Sequence, residues 1–384
     1  MNVYMDYQST TPCDCRVLEK MLPYFCEIYA NPHSHSHRLG IQAGEVLEEA
    51  RRSIAFSLGC SDPRSIVFTS GATESNNLAL KGVARYYRAK KNKIITTAVE
   101  HKCVMESVAS LGREGFEVIF LPVQRDGILD LDVLRSALDD RTSIVSVMHA
   151  NNEIGVIQPI EQIGKICREH GVLFHTDAAQ SFGKIPLKAE WADLISLSGH
   201  KIYGPKGIGV LYVTMNPRIR LSALLEGGGQ ERGMRAGTPP VPLCVGFAEA
   251  ARLSLEEMVS EQNRLAELRD KLLSRIQSSL ERVYVNGSLE HRLAGNLNIS
   301  FYGVEGESIM LRMPEVCVSS GSACTSLSLD GSHVIEALGV EDDLAHSSLR
   351  FSLGRFSTEE EVDYVCDRVI KAVNDLRAMS PLWS

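Results

Sequence analysis

Lys201 stands in the run Ser198-Gly199-His200-Lys201-Ile202-Tyr203-Gly204-Pro205-Lys206-Gly207-Ile208-Gly209. Polar, phosphate-compatible side chains precede this amine and a glycine-rich turn follows it. That setting suits a lysine that holds pyridoxal phosphate as a Schiff base, because small residues let the cofactor lie against the backbone. Two other segments make sense with that chemistry. Asp177, in Phe174-His175-Thr176-Asp177-Ala178-Ala179-Gln180, reads as a strand-end carboxylate. Beside a pyridine ring it would favour the protonated ring, the better electron sink. Cys324, in Ser319-Ser320-Gly321-Ser322-Ala323-Cys324-Thr325, offers a thiol nucleophile on a stretch whose small residues describe a loop rather than a packed core. Gly71-Ala72-Thr73 opens a helix directly after a strand, where free N–H groups and the helix dipole favour an anion. Thr73 is therefore a second phosphate ligand.

The chain has 384 residues, enough for a two-domain enzyme. Hydrophobic content of 44% and charged content of 23% suit a soluble globular protein. A formal net charge of -8 argues against a dedicated nucleic-acid binder. No apolar run approaches the ~20 residues that span a bilayer. The 10 cysteines are scattered, and the close pair Cys13-Asp14-Cys15 fits zinc spacing poorly. Many unpaired thiols favour an intracellular compartment. No secretory signal is read before Tyr4-Met5-Asp6.

Elements that would position these residues follow from the apolar pattern. Strands are predicted at 65–69, 93–97, 117–121, 143–147, 172–176, 194–198 and 209–213, separated by amphipathic helices. Near-continuous apolar strands imply a mostly parallel sheet covered on both faces, an α/β domain over the central two-thirds. The register changes at Pro239-Pro240. A long charged helix is predicted from Val241 to Leu280, then strands at 296–301 and 346–352 and a last helix after the Ser357-Thr358-Glu359-Glu360 cap. This region reads as a smaller α+β domain.

Motifs along nearly the whole chain resemble those of group I cysteine desulfurases, in the class V aminotransferase superfamily. Besides the lysine and cysteine segments they are Tyr7-Gln8-Ser9-Thr10-Thr11-Pro12, Phe68-Thr69-Ser70-Gly71-Ala72-Thr73-Glu74-Ser75-Asn76-Asn77 and Glu100-His101-Lys102. Further matches are Asn151-Asn152-Glu153-Ile154-Gly155, Gly227-Gly228-Gly229-Gln230-Glu231-Arg232-Gly233-Met234-Arg235 and Ser380-Pro381-Leu382-Trp383. The resemblance implies a PLP-dependent transferase fold of type I, aspartate aminotransferase-like. It has a large domain (16–257) with a mostly parallel seven-stranded sheet and a small α+β domain (258–384) joined by the N-terminal segment 1–15.

The resemblance also implies roles. Lys201 is the Schiff-base lysine, with Lys206 as a less fitting rival. Cofactor contacts come from Ala72, Thr73, His101, Asn152, Asp177, Gln180, Ser198 and His200, with Thr238 reaching the phosphate from the partner subunit of a homodimer. His101 stacks on the ring and moves protons. Arg350 grips the substrate α-carboxylate beside Asn152, a task for a guanidinium fork; Arg355 is read as structural. Cys324 takes sulfur from L-cysteine, leaving L-alanine and a persulfide, and would ligate a cluster only transiently with a scaffold. Cys317 is read as a strand-buried thiol. No resident metal is expected, although His33, His35 and His37 would share one face of a strand.

Partners implied are an iron–sulfur scaffold protein, frataxin, tRNA-thiolation proteins and, in a eukaryote, a small accessory subunit with acyl carrier protein near the N-terminal helices. No membrane and no direct nucleic-acid contact are expected. Phrases such as Met21-Leu22-Pro23-Tyr24 look most like mitochondrial members, so a mitochondrion or a reduced organelle derived from it is expected, with the cytoplasm as the alternative. The family usually continues beyond Ser380-Pro381-Leu382-Trp383 with a tail that helps dock the scaffold, whereas this sequence stops at Ser384. Leu327 and Asp330-Gly331 depart from the family's pattern after the cysteine, and His35 from its usual arginine. A selenocysteine lyase or another class V aminotransferase would keep Lys201 and Asp177 without needing Cys324. A non-catalytic assembly subunit would be expected to lack Lys201 or Cys324.

Overall fold

The computed structural model describes residues 2–320, 331–380 and 383. The strands among them are β1 (Val3–Tyr4), β2 (Ile66–Thr69), β3 (Lys93–Thr97), β4 (Glu117–Leu121), β5 (Thr142–Ser146), β6 (Leu173–Asp177), β7 (Leu194–Ser198), β8 (Gly209–Val213), β9 (Val283–Val285), β10 (Asn296–Phe301), β11 (Val316–Cys317) and β12 (Ser348–Ser352). Seven of them form one sheet in the order β2-β8-β7-β6-β5-β3-β4. Strand β8 is antiparallel to β2 and β7, and the remaining pairs are parallel.

Adjacent residues of each inner strand belong to different cores. Phe68, Ile95, Val145, Ile195 and Val210 join the apolar cluster under the helices Arg38–Ser57 and Ile160–Glu169 and the start of Val241–Ser279. Val67, Ile94, Ile144, Leu194 and Leu211 join the cluster under Ala72–Tyr87 and Lys102–Arg113. Both faces are dry, so these strands read as unbroken apolar runs rather than alternating ones.

A second, antiparallel sheet, β12-β10-β9, packs on the helix Glu359–Arg377 and the end of Val241–Ser279. The predicted strand 346–352 is shorter than expected, since His346 ends the short helix Asp342–His346. The 39-residue helix Val241–Ser279 has its first buried face, with Cys244 and Phe247, in one core and its second, with Leu268 and Leu272, in the other. Val3 and Met5 belong to that second core, and β1 pairs in parallel with β11. The N-terminal segment thus crosses back to the C-terminal part of the chain. Thr358 and Glu361 form a capping box at the start of the last helix.

A buried ion pair ties the motif Gly227–Arg235 to the sheet edge. The Arg51 Nη atoms meet both Glu231 carboxylate oxygens at 2.7 and 2.8 Å, with side chains 4% and 3% exposed. Glu231 also accepts the Phe68 N–H of β2 at 2.9 Å, and its backbone is held at φ 45°. Removing one partner would strand the other charge in a dry setting. Arg51→Ala is expected to cost roughly 3–5 kcal/mol. The double variant Arg51→Met with Glu231→Leu should cost less, because no charge is left unpaired. Denaturant unfolding checks both; equal losses would show that the cost of Arg51→Ala does not come from a stranded charge.

Candidate active site

Dry strand faces leave the strand ends as the place for polar chemistry. Residues from the carboxyl ends of β2, β3, β5, β6 and β7 converge on one cavity of about 470 Å³. It is lined by Ala72, Thr73, His101, Asn152, Asp177, Gln180, Ser198, His200, Lys201 and Arg350, all expected from sequence. At the β2 end, the helix Ala72–Tyr87 starts at Gly71 with no side-chain cap, so its first N–H groups are left for an anion. A Cβ on Gly209 would fall 2.5 Å from Gly71, so only glycine lets β8 approach this turn.

Asp177 ends β6. Its Oδ1 accepts the Ala179 N–H at 2.9 Å and its Oδ2 accepts from Asn76 Nδ2 at 2.6 Å, which fixes the carboxylate's orientation. Asn76 Nδ2 also lies 3.1 Å from Cys103 Sγ. His101 caps the helix Lys102–Arg113: its Nδ1 accepts the Cys103 N–H at 3.2 Å and lies 3.0 Å from Cys103 Sγ. The imidazole proton therefore sits on Nε2. Burial lowers the pKa of His101 and keeps it neutral, despite the opposing pull of Asp177. Burial likewise pushes the Cys103 thiol up to about 12 and His200 down to about 4. Neighbouring Glu100 is pushed up to about 8 by burial.

Lys201 Nζ donates to the carbonyls of Gln8 and Ser9 at 2.5 and 2.6 Å. Gln180 Nε2 donates to the same Gln8 carbonyl at 2.9 Å. Arg350, in β12, donates from Nη1 to the Asn152 carbonyl at 2.7 Å and from Nη2 to Asp6 Oδ1 at 2.6 Å and Ser9 Oγ at 2.8 Å. Lys206 is exposed at the cavity rim.

Other expectations fall outside this cavity. Thr238 is exposed and is not among the lining residues of its own chain's cavity. Cys324 lies outside the described residues. Arg355 is built into a network with Asp14 (2.8 Å), Glu257 (3.2 Å) and Glu261 (2.5 Å). Cys317 is on a strand but exposed, contrary to the buried thiol expected. In the two-residue β11, alternation turns Val316 into the core and Cys317 outward. His33 and His35 lie in turns and His37 in the bend before a helix, so none of them is on the strand expected. His37 instead caps the helix Arg38–Ser57, its Nδ1 accepting the Gly40 N–H at 3.0 Å. Asn76, Cys103, Asp6, Gln8 and Ser9 were not singled out from sequence. Gln8 and Ser9 stand in the motif Tyr7–Pro12, and Asn76 stands three residues after Thr73 on one helix face, which are the signals that could have found them.

Pyridoxal phosphate fits this donor set. The capless helix start suits its phosphate and Asp177 its ring nitrogen. Asn152 Oδ1 and Gln180 Oε1 are buried, belong to cavity-lining residues and have no partner among the described residues.

Residues 3–365 match the aminotransferase class-V family. The chain is 55% identical to the cysteine desulfurase IscS of Rickettsia bellii, over 99% of this chain and 93% of that protein. It is 54% identical to a cysteine desulfurase of Pongo abelii, over 99% of this chain and 84% of the relative. Among solved structures, a NifS-like protein superposes with a TM-score of 0.91 at 38% identity, covering 98% of this chain and all of the other. A structure described as SspA in complex with cysteine superposes with a TM-score of 0.82 at 37% identity, covering 93% of this chain and all of the other. A lysine, a ring-facing carboxylate and an arginine around one anion-ready cavity, with likeness over almost the full length, place this chain in the class-V aminotransferase family, among its pyridoxal-phosphate-dependent cysteine desulfurases.

Proposed function

We propose that this desulfurase acts on L-cysteine with Lys201, Asp177, His101, Arg350 and Cys324 in the central roles. The observation that carries the reading is the convergence of the first four on one cavity. Pyridoxal phosphate, when bound, supplies the electron sink that acidifies the substrate α-proton. Ala72, Thr73, Ser198 and His200 hold the phosphate end, Asp177 pairs with the ring nitrogen, and Asn152 and Gln180 orient the ring. Lys201 would hold the cofactor, and its free amine takes the α-proton at Nζ, steadied by the Gln8 and Ser9 carbonyls. Neutral His101 keeps its proton at Nε2, available to the reacting groups. Arg350 grips the substrate carboxylate.

Cys324 thiolate then attacks the substrate sulfur. An S–S bond forms and the Cβ–S bond breaks with its electron pair left on Cβ; Cβ takes a proton and Cα regains the one held at Lys201 Nζ, giving L-alanine and a Cys324 persulfide. This role rests on the family resemblance of the segment around Cys324.

The wider setting is part of the same proposal. Two chains pair, with Thr238 of each reaching the phosphate of the other; its position away from its own cavity supports this. The division into residues 16–257 and 258–384, joined by 1–15, is supported by the split of the apolar cores. The persulfide passes to an iron–sulfur scaffold, with frataxin, an accessory subunit with acyl carrier protein, and tRNA thiolation as further links. A mitochondrion or a related organelle is the proposed site, with the cytoplasm as the alternative; bacterial and animal relatives are compatible with both.

Purified protein should absorb near ~400 nm, as expected of lysine-bound pyridoxal phosphate. Lys201→Ala should lose that band and all alanine formation. Borohydride reduction and peptide mapping should find the cofactor on Lys201; finding it on Lys206 overturns the assignment.

Cys324→Ser should still bind cofactor and L-cysteine, yet form no persulfide, because a hydroxyl is a far weaker nucleophile than a thiolate. Mass spectrometry after L-cysteine treatment should place the added sulfur on Cys324. Sulfur on exposed Cys317, or full activity of the variant, would contradict the mechanism.

Arg350→Ala should raise KM for L-cysteine by roughly ten- to a hundredfold, the loss of about 1.5–3 kcal/mol of charged hydrogen bonding. A near-normal KM would move the carboxylate clamp elsewhere.

A further inference from the structure

Arg350 is 1% exposed, and among the described residues its Nε has no hydrogen-bond partner. Among the described residues its ion pair is with Asp6, a residue 344 positions away in sequence. Nη2 donates twice, to Asp6 Oδ1 and to Ser9 Oγ, so both of its hydrogens are committed. A guanidinium offers a carboxylate two flat edges, Nε with Nη2 and Nη1 with Nη2. Both edges pass through Nη2. A bidentate grip on any incoming carboxylate therefore requires one of the two existing Nη2 bonds to be given up.

Charge decides which bond yields. Ser9 Oγ is neutral and tolerates a nearby carboxylate, whereas Asp6 and a substrate carboxylate on one guanidinium repel each other. The surroundings allow the exchange. The Asp6 backbone is anchored: Asp6 bridges to Ser352, Tyr4 Oη donates to its carbonyl at 3.1 Å, and the Ser352 N–H bonds the adjacent Met5 carbonyl at 2.8 Å. Its side chain is 17% exposed, so a freed carboxylate can turn toward water.

We propose that Asp6 is a resident counter-ion of Arg350 that the substrate α-carboxylate displaces, and so a positioning residue that sets substrate affinity. It rests on the reading of Arg350 as the carboxylate clamp. The pairing neutralises a buried cation between turnovers and limits how tightly carboxylates, product included, are held.

The test uses the holoenzyme. In Asp6→Asn the amide still accepts a hydrogen bond but carries no charge, so KM for L-cysteine should fall roughly tenfold, the scale of one charge-assisted bond. The change in kcat should be smaller. Binding of L-alanine, followed by the cofactor's absorbance, should tighten by a similar factor. Competition by cysteamine, which has the thiol and amine but no carboxylate, should not change. A raised or unchanged KM, or an equal gain for cysteamine, overturns the proposal.

A structure of the unmodified holoenzyme with L-alanine gives a second measurement should the variant not fold. Asp6 is expected to have left Arg350 Nη2, and a retained pair refutes the exchange. Arg350→Ala separates the two levels. An unchanged KM there removes the clamp reading itself, while a raised KM with no gain in Asp6→Asn removes only the exchange.

Discussion

A sheet that is dry on both faces forces its polar work to the strand ends. Helices cover both sides of the sheet except at the edge strand β4, where Phe120 is exposed, and neighbouring positions of the other strands face opposite cores. Uncompensated polar groups placed mid-strand would cost desolvation. At the carboxyl ends the chain turns into loops and helix starts, where N–H groups point outward and side chains meet solvent. Asp177, Ser198, His101 and Thr73 all stand at or just beyond such ends.

The second constraint is a strap. Residues 6–9 supply the carbonyls that hold Lys201, the hydroxyl and carboxylate that hold Arg350, and the carbonyl that holds Gln180. The same segment is rooted in the core of the C-terminal part through Val3 and Met5. Arg350 itself comes from the small sheet and reaches the carbonyl of Asn152, in a turn that follows β5 of the large one. Binding groups from two separately packed cores are therefore held in register by hydrogen bonds across the cavity, together with an apolar contact in which Ile154 and Val156 meet Val334, Ile335 and Leu338.

Local chemistry within the cavity is tuned by burial more than by charge. His101 and His200 are kept neutral mainly by desolvation, and the Cys103 thiol is kept protonated by the same cause. Histidines held this way accept and donate single hydrogen bonds without adding positive charge beside Lys201. Asn76 completes the arrangement by holding Asp177 and Cys103 with its two amide hydrogens.

Much of this was legible in the residues because the signals are local. Runs such as Ile66-Val67-Phe68-Thr69 and Leu194-Ile195-Ser196-Leu197-Ser198 are apolar or small at every position, which only a doubly covered strand requires, and the helix from Val241 ends within one residue of its expected limit. The motif residues around Lys201 and Asp177 sit next to the turns that aim them. Signals failed where a local pattern had two meanings. His346 looks like strand but ends a short helix, Cys317 shares its two-residue strand with a buried valine yet points outward, and the alternating histidines lie in turns and a bend. What only the tertiary structure decided are contacts between distant segments: Asp6 with Arg350, Gln8 with Lys201, Asn76 with Asp177, Arg51 with Glu231. Periodicity and capping act over a few residues, so they specify elements. Which carboxylate neutralises which buried cation depends on how two cores dock, and nothing within reach of either residue in sequence encodes it.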